Sequence, residues 1–334
     1  MEQNRTPKCA VVGYGSWATA IVKTLTTNRH HINWLVLNEE ILQSLERRGR
    51  NSKYLPWCDI DKEYFTASAD INAVVEDADI VIMAMPSAYM KKFLEPLTVD
   101  LSNKIVVSVV KGIIPGDYLT IVEHIHRYYN VPMQNLCVVT GPSHAEEVAQ
   151  GRLSYLTVAA EDKSTAESVR AFLENEFFRC SLSDDVLGVE GAAIMKNIYA
   201  LAVGMAVGLR FGDNFLAVLI AGCANEMKRF LDEAIPIENR DINISAYMGD
   251  LPVTCYSPLS RNRRLGTLLG KGCSVKSALN EMTMVAEGYY AAECIRRSSM
   301  RRSIDMPIAD MVWEVLYNKA SARDAMQALT KILK

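Results

Sequence analysis

The join at residues 9–18 constrains the fold most. A short apolar run, Cys9-Ala-Val-Val12, passes directly into Gly13-Tyr-Gly15-Ser-Trp-Ala18, and a helix-forming stretch follows. Comparable runs recur at 32–37, 79–84, 105–110 and 136–140, with a further candidate at 155–160. Runs this continuously apolar predict strands buried on both faces, hence a mostly parallel sheet, with crossover helices in the stretches between them. After about residue 187 the texture changes to long helical patterns, predicted over 188–209, 215–235, 275–296, 307–318 and 323–333. Pro307 suits a first helical turn, and Ser321-Ala-Arg-Asp324 resembles a capping box with Asp in place of Glu. The chain is also longer than one core usually serves. The expectation is an α/β domain over residues 1–188 and an all-helical domain over 189–334.

The glycine loop has a chemical reading. Gly13 permits a tight turn, Gly15 lets backbone approach a pyrophosphate, and the small Ala18 lets the helix pack closely on the strand. The helix then turns its first amides toward the phosphates. Placed after the first strand and opening a helix, G-x-G-x-x-A predicts a Rossmann-type dinucleotide site for NAD or NADP. The ribose is read at the end of the second strand, where Asn38 stands before Glu39 and Glu40. An acid there favours NAD and an arginine NADP; Asn38 is neither, and Arg47, Arg48 and Arg50 lie further on, so the choice stays open.

Charge and composition exclude other classes. Lys plus Arg is 36 against 39 Asp plus Glu, a net charge of −3. A nucleic-acid binder needs a basic surface instead. The longest apolar stretch, residues 198–209, falls short of the roughly 20 residues that span a bilayer, so no membrane insertion is expected. MEQNRTPK lacks the plan of a secretory signal, which predicts a cytoplasmic protein. The eight cysteines are scattered without a C-x-x-C pair, which argues against a disulfide framework or structural zinc. His124 and His126 stand two apart, a poor metal pair on a helix, and read as solvated surface residues; no metal is expected.

Further motifs lie in order along the chain. They are Val110-Lys111-Gly112, Gly141-Pro-Ser143-His-Ala145, Lys196-Asn197, Gly249-Asp250 with Thr254-Cys255, Ser260-Arg261-Asn262-Arg263, and Val285-Ala-Glu287-Gly288. With the glycine loop they resemble the NAD(P)-dependent glycerol-3-phosphate dehydrogenase family, across residues 13–288. The resemblance implies interconversion of dihydroxyacetone phosphate and sn-glycerol 3-phosphate, feeding glycerophospholipid synthesis, by a homodimer. A related dehydrogenase of another small hydroxy acid or phosphate, or a non-catalytic cofactor-binding module, are the competing readings. The sequence departs from the family at Asn38, at Val207 and Phe215 (Asp and Thr in the family), and at residues 221–223.

Lys196 interrupts an apolar helix, and lysine is almost never fully buried unless paired. By the resemblance it gives and takes the proton at the substrate oxygen. Lys111 closes the fourth strand at the sheet edge that binds ligands. The resemblance assigns it to substrate and cofactor, and a second ammonium would lower the pKa of Lys196. Asp250 would orient both lysines. Arg261 would clamp the phosphate, with Ser260 and Asn262 as neutral donors. Gly141 and Ser143 would meet the substrate. Ser16, Trp17, Ala145, Arg261, Val285 and Glu287 would line the cofactor.

Overall fold

The computed structural model describes residues 6–282 and 284–333. It divides into two compact units. The first takes the chain up to Val110 together with Ile121–Val186. The second takes Lys111–Thr120 and the chain from Leu187 onward. A single boundary near 188 does not anticipate that ten residues after the fourth apolar run belong with the helical unit. Residues 1–5, part of the segment read as lacking a leader, lie outside the described residues.

The first unit is built on an eight-stranded sheet. Its strands are β1 (Cys9–Val12), β2 (Ile32–Leu35), β3 (Phe65–Ser68), β4 (Ile80–Met83), β5 (Ile105–Ser108), β6 (Leu136–Thr140), β7 (Ser154–Ala160) and β8 (Phe178–Ser183). They lie in the order β3-β2-β1-β4-β5-β6-β7-β8, and every pairing is parallel except β6 with β7. The helices are α1 (Ser16–Thr27), α2 (Glu39–Arg48), α3 (Ile71–Val75), α4 (Met90–Leu94), α5 (Ile121–Tyr129), α6 (Ala145–Ala149) and α7 (Lys163–Leu173). Val11, Ile21, Trp34, Ile82, Val107 and Val139 belong to one fully buried core cluster.

All six apolar runs form strands, and two strands have no counterpart among them. Both lie at the sheet edges, where burial on two faces is not required. The β8 sequence Phe-Arg-Cys-Ser alternates buried with exposed residues, a period-2 signal weaker than a continuous run. His124 is not a solvated residue: it is buried in α5 beside the rings of Tyr128 and Tyr129.

The second unit contains α8 (Val186–Gly208), α9 (Asp213–Ala234), a π-helical turn at Ser245–Gly249, α10 (Asp250–Tyr256), α11 (Arg261–Gly270), α12 (Val275–Glu281), α13 (Glu287–Arg302), α14 (Pro307–Tyr317) and α15 (Ala322–Thr330). Pro307 opens α14, and the Ser321 hydroxyl accepts from the Asp324 amide at the start of α15. The single helix expected over 275–296 is instead two, because the backbone is extended at Met282 and Ala286. Helix α8 has the length and apolarity of a membrane-spanning segment. Nearly all of it is buried, so its apolar surface is used in packing.

Helices α8 and α11 touch backbone to backbone. A Cβ at Gly204 or Gly208 would run into the carbonyls of Arg263 or Thr267. One at Gly266 or Gly270 would run into those of Leu201 or Met205. The contact is reciprocal, so neither helix can move aside for an added methyl. An ordinary Gly→Ala change inside a helix stabilises by about 1 kcal/mol. Here the sign should reverse: Gly266→Ala should cost about 1–3 kcal/mol through overpacking, read by urea denaturation.

Candidate functional site

In the first unit, Val12 stands level with Leu35 and Met83, so the glycine loop leaves the sheet at its carboxyl edge. Gly13 has φ +127°, and a Cβ there would lie 2.5 Å from the Ala84 carbonyl oxygen. Only glycine fits that position. A Cβ built on Gly15 would meet nothing within 4 Å. Gly15 precedes α1, whose N-terminus has no side-chain cap and no acid in its first turn. Ser16 and Trp17 begin the helix, partly exposed, and Ala18 is buried. This is a fitting cradle for a pyrophosphate: open space over the backbone, and first-turn amides that no capping side chain covers.

The loop is held from below. The Trp34 Nε1–H donates to the Gly13 carbonyl at 2.7 Å. The buried Asn51 amide donates to the Tyr14 carbonyl and to Thr19 Oγ1, both at 2.9 Å, and its oxygen accepts from the Lys53 and Tyr54 amides. Asn51 was not singled out in the sequence, where only its position after a basic helix end marks it.

Helix α6 packs against α1. The turn before it carries Gly141 with φ +145°, where a Cβ would lie 2.7 Å from the Tyr155 carbonyl oxygen. Ser143 Oγ donates to the Gly141 carbonyl at 2.9 Å, and Ala145 is the first residue of α6. The expected Gly141, Ser143 and Ala145 therefore lie on an element adjoining the glycine-loop helix. Asn38 is the N-cap of α2, its Oδ1 accepting from the Ile41 amide at 3.0 Å.

The second unit gathers a different cluster. Lys196 in α8 is 4% exposed, and Asp250, first residue of α10, is 1% exposed. Lys196 Nζ lies 2.5 Å from Asp250 Oδ1 and donates to Thr254 Oγ1 at 2.9 Å. Lys111 Nζ donates to the second Asp250 oxygen at 3.2 Å. Thr254 Oγ1 donates in turn to the Asp250 carbonyl at 2.8 Å. One buried carboxylate is thus shared by two lysines from distant parts of the chain.

A chain of amides surrounds this cluster. Asn197 Nδ2 donates to the Lys111 carbonyl at 2.7 Å. Asn262 Nδ2 donates to Asn197 Oδ1 at 2.8 Å, and Asn262 Oδ1 accepts from the Gly288 amide at 3.0 Å. Ser260 caps α11, its Oγ accepting from the Arg263 amide. The side chains of Ser260 and Asn262 thereby hold the N-terminus of α11 in place. Arg261 is exposed on the first turn, and Val285 and Glu287 are half-buried at the start of α13. Thr254 and Asn197 were visible in the sequence as motif members, yet only the fold gives each a partner. Among the described residues, no group of three His, Cys, Asp or Glu side chains could hold a metal ion.

Burial is the largest influence on Lys196. It drives the ammonium from the ordinary lysine value down to about 7; Asp250 works against this and Lys111 adds to it. The second ammonium is therefore a lesser cause than desolvation. Burial pushes the Asp250 carboxyl up, but Lys111 and Lys196 together outweigh it, and the group stays below the usual carboxylate range. An ionised carboxylate next to an amine that titrates near neutrality is a proton donor and acceptor held in a fixed direction.

Two family models match the chain: the N-terminus of NAD-dependent glycerol-3-phosphate dehydrogenase over residues 8–166, and its C-terminus over residues 185–327. A glycerol-3-phosphate dehydrogenase (NAD(P)+) from Prosthecochloris aestuarii is 34% identical over 318 residues, covering 95% of each chain. Its counterpart from Staphylococcus carnosus is 32% identical over 96% of this chain and 97% of its own. The crystal structure of glycerol-3-phosphate dehydrogenase from Coxiella burnetii superposes with a TM-score of 0.90 at 27% identity, covering 97% of this chain and 99% of that one.

The shared carboxylate has a consequence for stability. Asp250→Asn leaves Lys196 and Lys111 without this counter-charge, a loss expected to cost about 3–5 kcal/mol near neutral pH. Without the carboxylate, burial and Lys111 push the folded-state Lys196 value lower still. The Lys196 share of that cost should shrink as pH rises above about 7, where the wild-type amine also gives up its proton. Urea denaturation at neutral and alkaline pH measures both.

Proposed function

The chain belongs to the NAD-dependent glycerol-3-phosphate dehydrogenase family, and on that footing we propose that it interconverts dihydroxyacetone phosphate and sn-glycerol 3-phosphate through Lys196. The observation that carries this reading is the buried Lys196–Asp250–Lys111 arrangement. When bound, the nicotinamide supplies or takes up the hydride. The rest is performed by this chain's side chains.

In the direction of reduction, hydride addition at the ketone carbon leaves negative charge on its oxygen. Lys196 Nζ gives its proton to that oxygen and becomes a neutral amine; solvent protonates it again. In oxidation the neutral amine takes the hydroxyl proton. Asp250 and the Thr254 hydroxyl fix the direction of Nζ. Lys111 adds positive charge beside the developing oxyanion. The phosphate falls to the N-terminus of α11, whose first amides have no intrahelical partners, and to the guanidinium of Arg261. The Asn262–Asn197 hydrogen bond supports this placement, since it joins that N-terminus to the residue next to Lys196. A reaction on a non-phosphorylated hydroxy acid would give Arg261 no task.

The glycine-loop cradle, with Ser16 and Trp17 at its helix start and Ala145 on the adjoining element, supports cofactor binding in the first unit. Lys111, Arg261, Val285 and Glu287 complete the proposed cofactor set. The same reading makes the protein a cytoplasmic homodimer that supplies glycerophospholipid synthesis; sedimentation equilibrium tests the dimer.

Three outcomes test this reading. Lys196→Ala should lower kcat for dihydroxyacetone phosphate reduction by about 10²–10⁴-fold or more while NADH still binds; normal turnover would reject Lys196 as the acid. In the wild type, reduction needs the ammonium, so kcat/KM should fall as pH rises through about 7, and oxidation should rise across the same interval. Arg261→Ala should raise KM for dihydroxyacetone phosphate at least tenfold, on the order of the 1.4 kcal/mol or more that a charge-assisted contact contributes. An unchanged KM rejects it as the phosphate clamp.

A further inference from the structure

We propose that the protein discriminates against NADPH in favour of NADH, with Glu39 and the apolar Leu37 as the determinants; this rests on reading the glycine loop as the cofactor site. The adenine-side ribose of a dinucleotide on such a loop meets the carboxyl end of β2. What stands there is Leu37, Asn38, Glu39 and Glu40, and the neighbouring β3 is followed by Ala69 and Asp70. None of these is a cation. Leu37 is 42% exposed, an apolar side chain at the point where a 2′-phosphate requires a positive partner. Asn38 uses its oxygen to cap α2. Glu39 and Glu40 occupy the first turn of α2, a helix end that attracts acidic side chains.

The nearby cations are placed elsewhere. Arg47 and Arg48 fall in the last turn of α2, roughly 12–15 Å along the helix axis from Asn38 at 1.5 Å per residue. Arg50 forms a two-pronged ion pair with Asp59. Lys53 lies over the Tyr54 ring, and Lys62 approaches the carbonyls of Glu46 and Arg47 at the far end of α2. A 2′-phosphate carries close to two negative charges at neutral pH. Its approach to Glu39 and Glu40 is repulsive, whereas a 2′-hydroxyl can donate to a carboxylate there.

Nicotinamide fluorescence titrations of the apoprotein, without substrate, read this directly. NADH should bind more tightly than NADPH by a factor on the order of ten or more, as expected for a dianion held near surface carboxylates. The ratio should narrow as salt is raised. Glu39→Gln should narrow it several-fold, by strengthening NADPH binding and weakening NADH binding. The pair Leu37→Arg with Glu39→Arg should invert it, with thermal melts confirming that both variants fold. NADPH binding as tightly as NADH in the wild type, or Glu39→Gln changing both affinities equally, overturns the proposal and leaves the cofactor site standing. Failure of both dinucleotides to bind overturns the cofactor site along with it.

Discussion

The carboxylate of Asp250 is the interaction on which the second unit depends. Two ammonium groups inside a protein repel each other and lose their hydration, and a single buried anion between them makes the arrangement tolerable. The exposed pairs elsewhere, such as Arg50 with Asp59 or Lys228 with Asp232, contribute little because water and salt screen them. Asp250 is different because it is buried and accepts from both sides. It leaves Lys196 poised near neutrality, which a surface lysine is not.

The surroundings make that poise geometric as well as electrostatic. Helix α8 holds Lys196 and Asn197, and its glycines seat it against α11. The same seat brings Asn262 within reach of Asn197 and puts the start of α11 beside the lysine turn. Small residues in α8 and α11 are therefore part of the site, although they touch no ligand. Glu226 plays a comparable part further off: fully buried in α9, it accepts the amides of Ile308 and Ala309 and ties α9 to α14.

Much of this was readable in the chain itself. Buried parallel strands are continuous apolar runs, and every such run became a strand. The edge strands β3 and β8 escaped because one exposed face dilutes their pattern. The break between α12 and α13 escaped because helical spacing continues through it. The glycine loop was legible because its constraint is local: a turn, an open backbone, a helix. Lys196 stood out as a charge in an apolar helix. The amide relay through Asn197 and Asn262 did not stand out, because asparagine pairs are made by tertiary proximity and leave no periodic trace. The fold also corrected a weighting: desolvation, more than the neighbouring ammonium, lowers the proton affinity of Lys196.

The assignment of Lys111–Thr120 to the helical unit bears on how the polypeptide can be divided. The chain passes between the units three times: after residue 110, after residue 120 and after residue 186. A fragment starting at α8 would keep Lys196, Asp250 and Thr254. It would lack the carbonyl that Asn197 Nδ2 seeks and the second ammonium on Asp250. Proteolysis or gene truncation at the visible change in texture would thus yield a helical piece with a mutilated centre. The two units are interleaved in sequence, so neither can be cut from the chain as one continuous segment without losing or gaining part of the other.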